Sequence, residues 1–234
     1  MSLTLVIGNK NYSSWSLRPW IALQQAGIAF KEVVIPLDQS DTKAKIAAWS
    51  PAGRVPVLIH NDLHIWDSLA ILEYLAETFP DKGLWPRDAR ARARARSISA
   101  EMHSGFGALR SAMPMNCRAS LPGLGVNADS TRDIARIIDI WTSCRAEFGA
   151  GGNFLFGAFS IADAFFAPVT SRFVTYAVKL PPVAASYVNA VQTLPAMQAW
   201  IAAARAEPFM IADDEPYLAT SAAAAAAAQN SRPS

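Results

Sequence analysis

The chain has 234 residues, 52% apolar and 17% charged, with a formal net charge of +2; that is enough for one large or two modest packed domains and excludes a disordered chain. The opening Met-Ser-Leu-Thr-Leu-Val-Ile-Gly-Asn-Lys has no basic leader with a long apolar core, and no apolar run is long enough to cross a bilayer, so a cytoplasmic protein without a membrane partner is expected. Cys117 and Cys144 are too few for a disulfide framework and lack His or Cys neighbours at zinc-ligand spacing, so neither a disulfide scaffold nor a metal site is expected.

In chain order, residues 3–7 form a short apolar run that predicts a first strand. Tyr12-Ser13-Ser14-Trp15-Ser16 then places hydroxyls ahead of an apolar-periodic stretch (Trp20, Ile21, Leu23, Ala26) that stops at Gly27, which reads as loop, N-cap, helix and C-cap. Residues 31–37, with Val33, Val34 and Ile35, predict a second strand, and strand, helix, strand is a βαβ unit with parallel strands. A short helix is expected over residues 40–49. Pro51 and Gly53 mark a turn, residues 57–60 and 63–66 read as strands joined by Asn61-Asp62, and Asp67-Ser68 opens a helix with Leu69, Leu72, Leu75 and Phe79 on one face.

The turn-rich Pro-Asp-Lys-Gly-Leu-Trp-Pro of residues 80–86 is the clearest boundary, and beyond it strand signals fade. One long helix is expected over residues 88–113, carrying Ile98, Met102, Phe106 and Leu109 on one face and broken at Pro114. A Gly/Pro-containing loop over 116–127 precedes a helix over 129–148, and Ser160-Ile-Ala-Asp163 has capping-box spacing ahead of an apolar helix that looks buried nearly all round. A last amphipathic helix spans residues 194–206. Arg87, Arg90, Arg92, Arg94 and Arg96 surround one acid, Asp88, but at helical spacing they spread around the cylinder and no nucleic-acid motif accompanies them. A solvated helix start is the expectation, with no nucleic-acid partner.

Two features a dozen residues apart carry chemistry. Val55-Pro56 ends a loop where a strand begins, and a proline that cannot donate to a ladder suits an edge, a bend or a cis peptide. Asp67-Ser68 opens a helix whose first N–H groups can hold a carboxylate. A small peptide-like ligand fits such a pair, although Pro56 as a turn residue and Ser68 as a cap are the plainer reading of each alone.

These motifs, in this order, resemble the cytosolic glutathione transferases over residues 1–218. Ser13-Ser14-Trp15-Ser16-Leu17-Arg18 resembles the serine-type catalytic loop of the zeta class, which includes maleylacetoacetate isomerase. Arg54-Val55-Pro56 resembles the cis-proline loop, Asp67-Ser68-Leu69-Ala70-Ile71 the glutathione-gripping Glu/Gln-Ser-x-Ala-Ile, and Ser160-Ile-Ala-Asp163 the N-capping box of the helical domain. The resemblance implies an α/β thioredoxin-like N-terminal domain followed by an all-α helical C-terminal domain, the glutathione transferase fold. On that basis residues 1–79 are the glutathione-binding domain, 80–87 a linker, 88–218 the helical substrate-pocket domain, and 219–234 an Ala-rich tail expected to be disordered.

The function so implied is a glutathione transferase with glutathione as co-substrate and a small electrophile as second substrate, acting as a homodimer. Ser13 is the expected donor to the sulfur, with Ser14 next. Val55 and Pro56 would meet the cysteinyl part, Ser68 the γ-glutamyl carboxylate and Asp67 its amino group, Lys43 and Arg54 the glycyl carboxylate, with Trp15 and Arg18 also at the tripeptide. His103, Phe106 and Arg110, at spacings of three and four, would line the electrophile pocket, which suits a flat apolar electrophile with an anionic group. Zeta enzymes carry a cysteine where this chain has Trp15, which weighs against maleylacetoacetate isomerisation. The alternatives are a glutathione-dependent isomerase of that type and a glutathione-binding or protein-interaction module with little turnover. A third is an acidic-partner binder using the arginine run, whose affinity would fall steeply with salt.

Overall fold

A computed structural model describes residues 2–218; the expectation of a disordered tail over 219–234 lies outside them. Four strands, β1 (Leu3–Ile7), β2 (Lys31–Val34), β3 (Val57–His60) and β4 (Leu63–Ile65), form one sheet in the order β2-β1-β3-β4. β1 and β2 are parallel, as the βαβ pattern requires, while β3 and β4 pair antiparallel. Alternation along β1 sends Leu5 and Ile7 into the main core and Val6 to the other face, where Ile35, Ile46, Val57 and Ile59 cover it.

Three helices accompany the sheet: α1 (Ser14–Gln25), α2 (Thr42–Ala47) and α3 (Ser68–Thr78). α3 buries Ile71, Leu72 and Leu75, with Asp67 as its N-cap. Then come α4 (Ala89–Ser104), α5 (Gly107–Ala112), α6 (Ala128–Phe148), α7 (Ile161–Thr175), α8 (Pro182–Gln192) and α9 (Pro195–Ala206). The arginine run is largely engaged by the chain itself: Arg90 pairs with Glu147, Arg96 with Glu73, and Arg92 donates to the Pro86 and Arg87 carbonyls.

The single long helix expected over residues 88–113 is two helices. Gly105 and Phe106 separate them, Phe106 taking a left-handed φ of 59°. Gly105 cannot carry a side chain there, because a Cβ would lie 2.8 Å from the Glu101 carbonyl oxygen. Arg110 then folds back from α5, its guanidinium donating to the carbonyls of Gly105, Met102 and His103, and so satisfies the end of α4. α8 is the element that the apolar pattern leaves unassigned; Pro182 at its first position is the signal that marks it.

The capping box forms as expected. Asp163 accepts from the Ser160 N–H at 2.8 Å, the Ser160 hydroxyl at 3.0 Å and the Leu155 N–H at 3.1 Å. It is fully buried, and burial pushes its carboxyl up to about 6 against those hydrogen bonds. α7 packs on α1 and α4, so the start of α7 sets where the loop carrying Ser13 meets the helical half.

Candidate active site

Two cavities meet at the start of α1. The first, of about 530 Å³, is lined by Trp15, Ala52, Arg54, Val55, Pro56, Trp66, Asp67, Ser68 and His103. The second, of about 300 Å³, is lined by Tyr12, Ser13, Ser14, Trp15, Leu37, Val55, Arg110, Pro114, Met115, Arg172 and Asp214. Trp15 and Val55 belong to both walls, so the cavities adjoin beside Ser14.

In the Pro56 cavity, the Val55-Pro56 peptide is cis and Pro56 leads into β3. Ser68 is fully buried at the start of α3, and Arg18 stands behind it, Nη1 3.5 Å from the Ser68 hydroxyl oxygen. Arg18 is wholly buried, has no ion pair among the described residues, and leaves its Nε without a hydrogen-bond partner. Burial, then the charges of Arg110 and Arg172, drive its pKa well down against the pull of Asp67. A guanidinium so poorly compensated favours an anion at the wall it backs. Asp67 caps α3 through Oδ1, which accepts from Leu69 and Ala70, while Oδ2 faces His103.

In the Arg172 cavity, Ser13 occupies the N-cap position of α1 with φ −77° and ψ 84°, yet its side chain makes no cap hydrogen bond. Its hydroxyl meets the Ser16 hydroxyl at 2.8 Å instead, and Ser16 Oγ accepts from the Gly8 N–H at 3.1 Å. The Ser14 hydroxyl has no hydrogen-bond partner among the described residues. Tyr12, the other hydroxyl in the loop, is committed: it donates to Glu215 at 2.7 Å, accepts from Arg118 at 2.7 Å, and burial followed by Glu215 raises its pKa. Arg172, on α7, is buried with Nε on the Met113 carbonyl, makes no ion pair among the described residues, and stays cationic although burial lowers its pKa to about 10.

The segment after α9 completes this wall. Glu207 accepts from the Lys10 and Asn11 N–H groups at 2.7 and 3.1 Å, and Glu215 from Tyr12 and the Asn116 amide. Arg118 holds the same segment through the Glu207 and Phe209 carbonyls. Asp214 follows into the cavity, its carboxyl raised by burial and drawn down by Arg172.

Of the residues singled out from sequence, Ser13, Ser14, Trp15, Arg54, Val55, Pro56, Asp67, Ser68 and Arg110 line one cavity or the other, and Arg18 backs the first. Three are placed differently from expectation. His103 lines the Pro56 cavity rather than the one holding Arg110, because the break at Gly105 separates their faces. Phe106 packs into the main core and lines neither cavity. Lys43 is exposed on α2 and also lines neither. Arg110 spends its donors on the end of α4, with its guanidinium 4.9 Å from the Trp15 ring centroid. Arg172 and Asp214 also line the second cavity, and nothing in their sequence neighbours singles them out.

Residues 12–78 match the family model of the glutathione S-transferase N-terminal domain, and residues 125–203 that of the glutathione S-transferase C-terminal domain. The chain belongs to the glutathione S-transferase family. A probable maleylacetoacetate isomerase from Caenorhabditis elegans is 40% identical over 93 residues, 40% of this chain and 42% of that protein. Glutathione S-transferase Z2 from Arabidopsis thaliana is 27% identical over 204 residues, 81% of this chain and 88% of that protein. The matches to the first curated relatives thus span about two fifths of those relatives' length. A glutathione transferase homologue from Burkholderia, solved with bound glutathione, has the same fold, with a TM-score of 0.67 at 24% identity over 88% of this chain and all of that one. No helix among the described residues is long and apolar enough to cross a membrane.

Proposed function

We propose that this chain is a serine-type glutathione transferase, which binds glutathione in the Pro56 cavity and activates its thiol for attack on a small electrophile held in the Arg172 cavity. The observation that carries the reading is the junction of the two cavities at Trp15 and Val55, beside Ser13 and Ser14. Glutathione supplies a thiol that is mostly protonated near neutral pH, and only its thiolate is a good nucleophile.

The chain's residues account for each need. Ser68, with Arg18 behind it, takes the γ-glutamyl carboxylate. Val55 presents its backbone to the cysteinyl part, and Arg54 reaches the glycyl carboxylate. Ser13 donates to the sulfur: its hydroxyl is free of the capping duty usual at that position, and the proton that it gives Ser16 Oγ turns to the thiolate once glutathione is bound, Ser16 then donating to Ser13 Oγ while still accepting from Gly8. Such a chain strengthens the final donor, and a hydrogen bond to a charged acceptor is about twice as strong as a neutral one. The first test is an ultraviolet titration of the bound thiol. A pKa clearly below that of free glutathione supports the transferase; an unmoved one leaves a binding or interaction module.

Arg172 suits an electrophile that carries an anionic group, since among the described residues it makes no ion pair and Asp214 acts on it only through space. Arg172→Gln is expected to lower kcat/KM for an anionic electrophile roughly tenfold more than for 1-chloro-2,4-dinitrobenzene, the loss of one charge-assisted hydrogen bond. Using the ratio of two substrates removes any general loss of folded protein. A second reading, a glutathione-dependent isomerase of the maleylacetoacetate type, is supported by the nematode relative, and an assay with maleylacetoacetate tests it directly. A homodimer is also proposed from the family; light scattering on the purified protein decides it.

A further inference from the structure

The two oxygens of Asp67 have separate duties. Oδ1 is spent on α3, accepting from the Leu69 and Ala70 N–H groups at 2.9 and 3.4 Å. Oδ2 stands 3.1 Å from His103 Nε2, which reaches it from α4 in the helical half of the chain. The imidazole is fixed edge-on against Trp15 at 5.2 Å and Phe165 at 6.1 Å. Both Asp67 and His103 line the Pro56 cavity beside Ser68.

The charged groups that act on the ring are Asp67 from the start of α3, Arg18 from α1 and Arg110 from α5; Trp15 and Phe165 add none. Burial, helped by the two arginines, outweighs the pull of Asp67 and lowers the His103 pKa. The ring is therefore neutral at pH 7, and its contact with Asp67 fixes the proton on Nε2. A neutral N–H holds the carboxylate without cancelling its charge, whereas an imidazolium would cancel it.

We propose that His103 is a positioning residue that aims Asp67 Oδ2 into the Pro56 cavity, where, as the family resemblance implies, Asp67 meets the α-amino group of the γ-glutamyl ligand. The inference rests on the glutathione reading above and deepens it: the ammonium is recognised by a carboxylate held from both halves of the chain. The same pair makes recognition weaken on acidification, because a protonated His103 occupies Asp67 and repels a second cation.

The test compares glutathione with the analogue that has hydrogen in place of the α-amino group, binding each by calorimetry to wild type, His103→Phe and His103→Gln. Wild type is expected to prefer glutathione by about tenfold or more near pH 7.5. His103→Phe should bind both within about threefold of each other, and His103→Gln, which keeps an N–H donor, should recover part of the preference. As pH falls below the ordinary histidine range, wild-type affinity for glutathione should fall more than affinity for the analogue. An undiminished preference in a folded His103→Phe overturns the role of His103. If that variant does not fold, parallel pH dependences of the two ligands on wild type overturn it equally. Failure of wild type to bind glutathione at all sinks the glutathione reading instead.

Discussion

Ser13→Ala is expected to raise the pKa of the bound glutathione thiol by about one to two units and to lower kcat/KM at neutral pH by roughly 10–100-fold, with glutathione affinity little changed. A hydrogen bond to a charged group is worth about 1.5–3 kcal/mol, and each pKa unit is about 1.36 kcal/mol, so removing one donor to a thiolate has that size. The helix start should fold unaltered, because the Ser13 side chain makes no cap hydrogen bond that the mutation could remove. Ser14→Ala serves as the control, and Ser16→Ala should show a smaller shift of the same sign, since it ends the hydroxyl chain from Gly8. Ultraviolet titration and steady-state rates with one model electrophile measure all three. An unchanged thiol pKa in Ser13→Ala would move the donor role to Ser14 or to the backbone.

The second large effect is on stability. Asp163→Ala is expected to cost about 3–5 kcal/mol, read as a fall in the urea midpoint at unchanged slope, because it leaves the Leu155 and Ser160 N–H groups buried without an acceptor. The loss should also depend on pH. The folded-state pKa is raised, to about 6, above the ordinary carboxylate value, so the contribution of the protonated group is fully present below about pH 4 and declines as pH rises through 6. The gap between wild type and variant is therefore larger at about pH 4 than at pH 7. A constant gap would mean that Asp163 stays ionised throughout and that its three donors outweigh its burial.

Much of the site was legible because its residues are local. Ser13-Ser14, Val55-Pro56 and Asp67-Ser68 each sit where a loop becomes a helix or strand, and turn and cap chemistry leave marks in a few adjacent letters. The break in the helical half was also written in the sequence, as glycines on either side of Phe106, but the apolar period through Met102, Phe106 and Leu109 continues across it. Periodicity and punctuation disagreed there, and the glycines won because α4 ends on a backbone approach that no side chain tolerates. Arg172, Asp214 and the facing of His103 toward Asp67 had no local mark, since each depends on segments brought together across the chain. A buried arginine on an apolar helix looks in sequence like any helix-surface arginine.

The bonds from Glu207 and Glu215 to residues 10–12 join groups about two hundred positions apart, with separations of 197, 196 and 203. Synthesis runs from the amino end, so the loop that carries Ser13 leaves the ribosome about two hundred residues ahead of Glu207 and Glu215. A nascent chain can assemble the sheet and α1 early and tie Asn11 and Tyr12 to Asn116 and Arg118 next, but the carboxylate bonds to this loop form only after α9. A chain stalled before Glu207 would hold this loop without either of its carboxylate anchors.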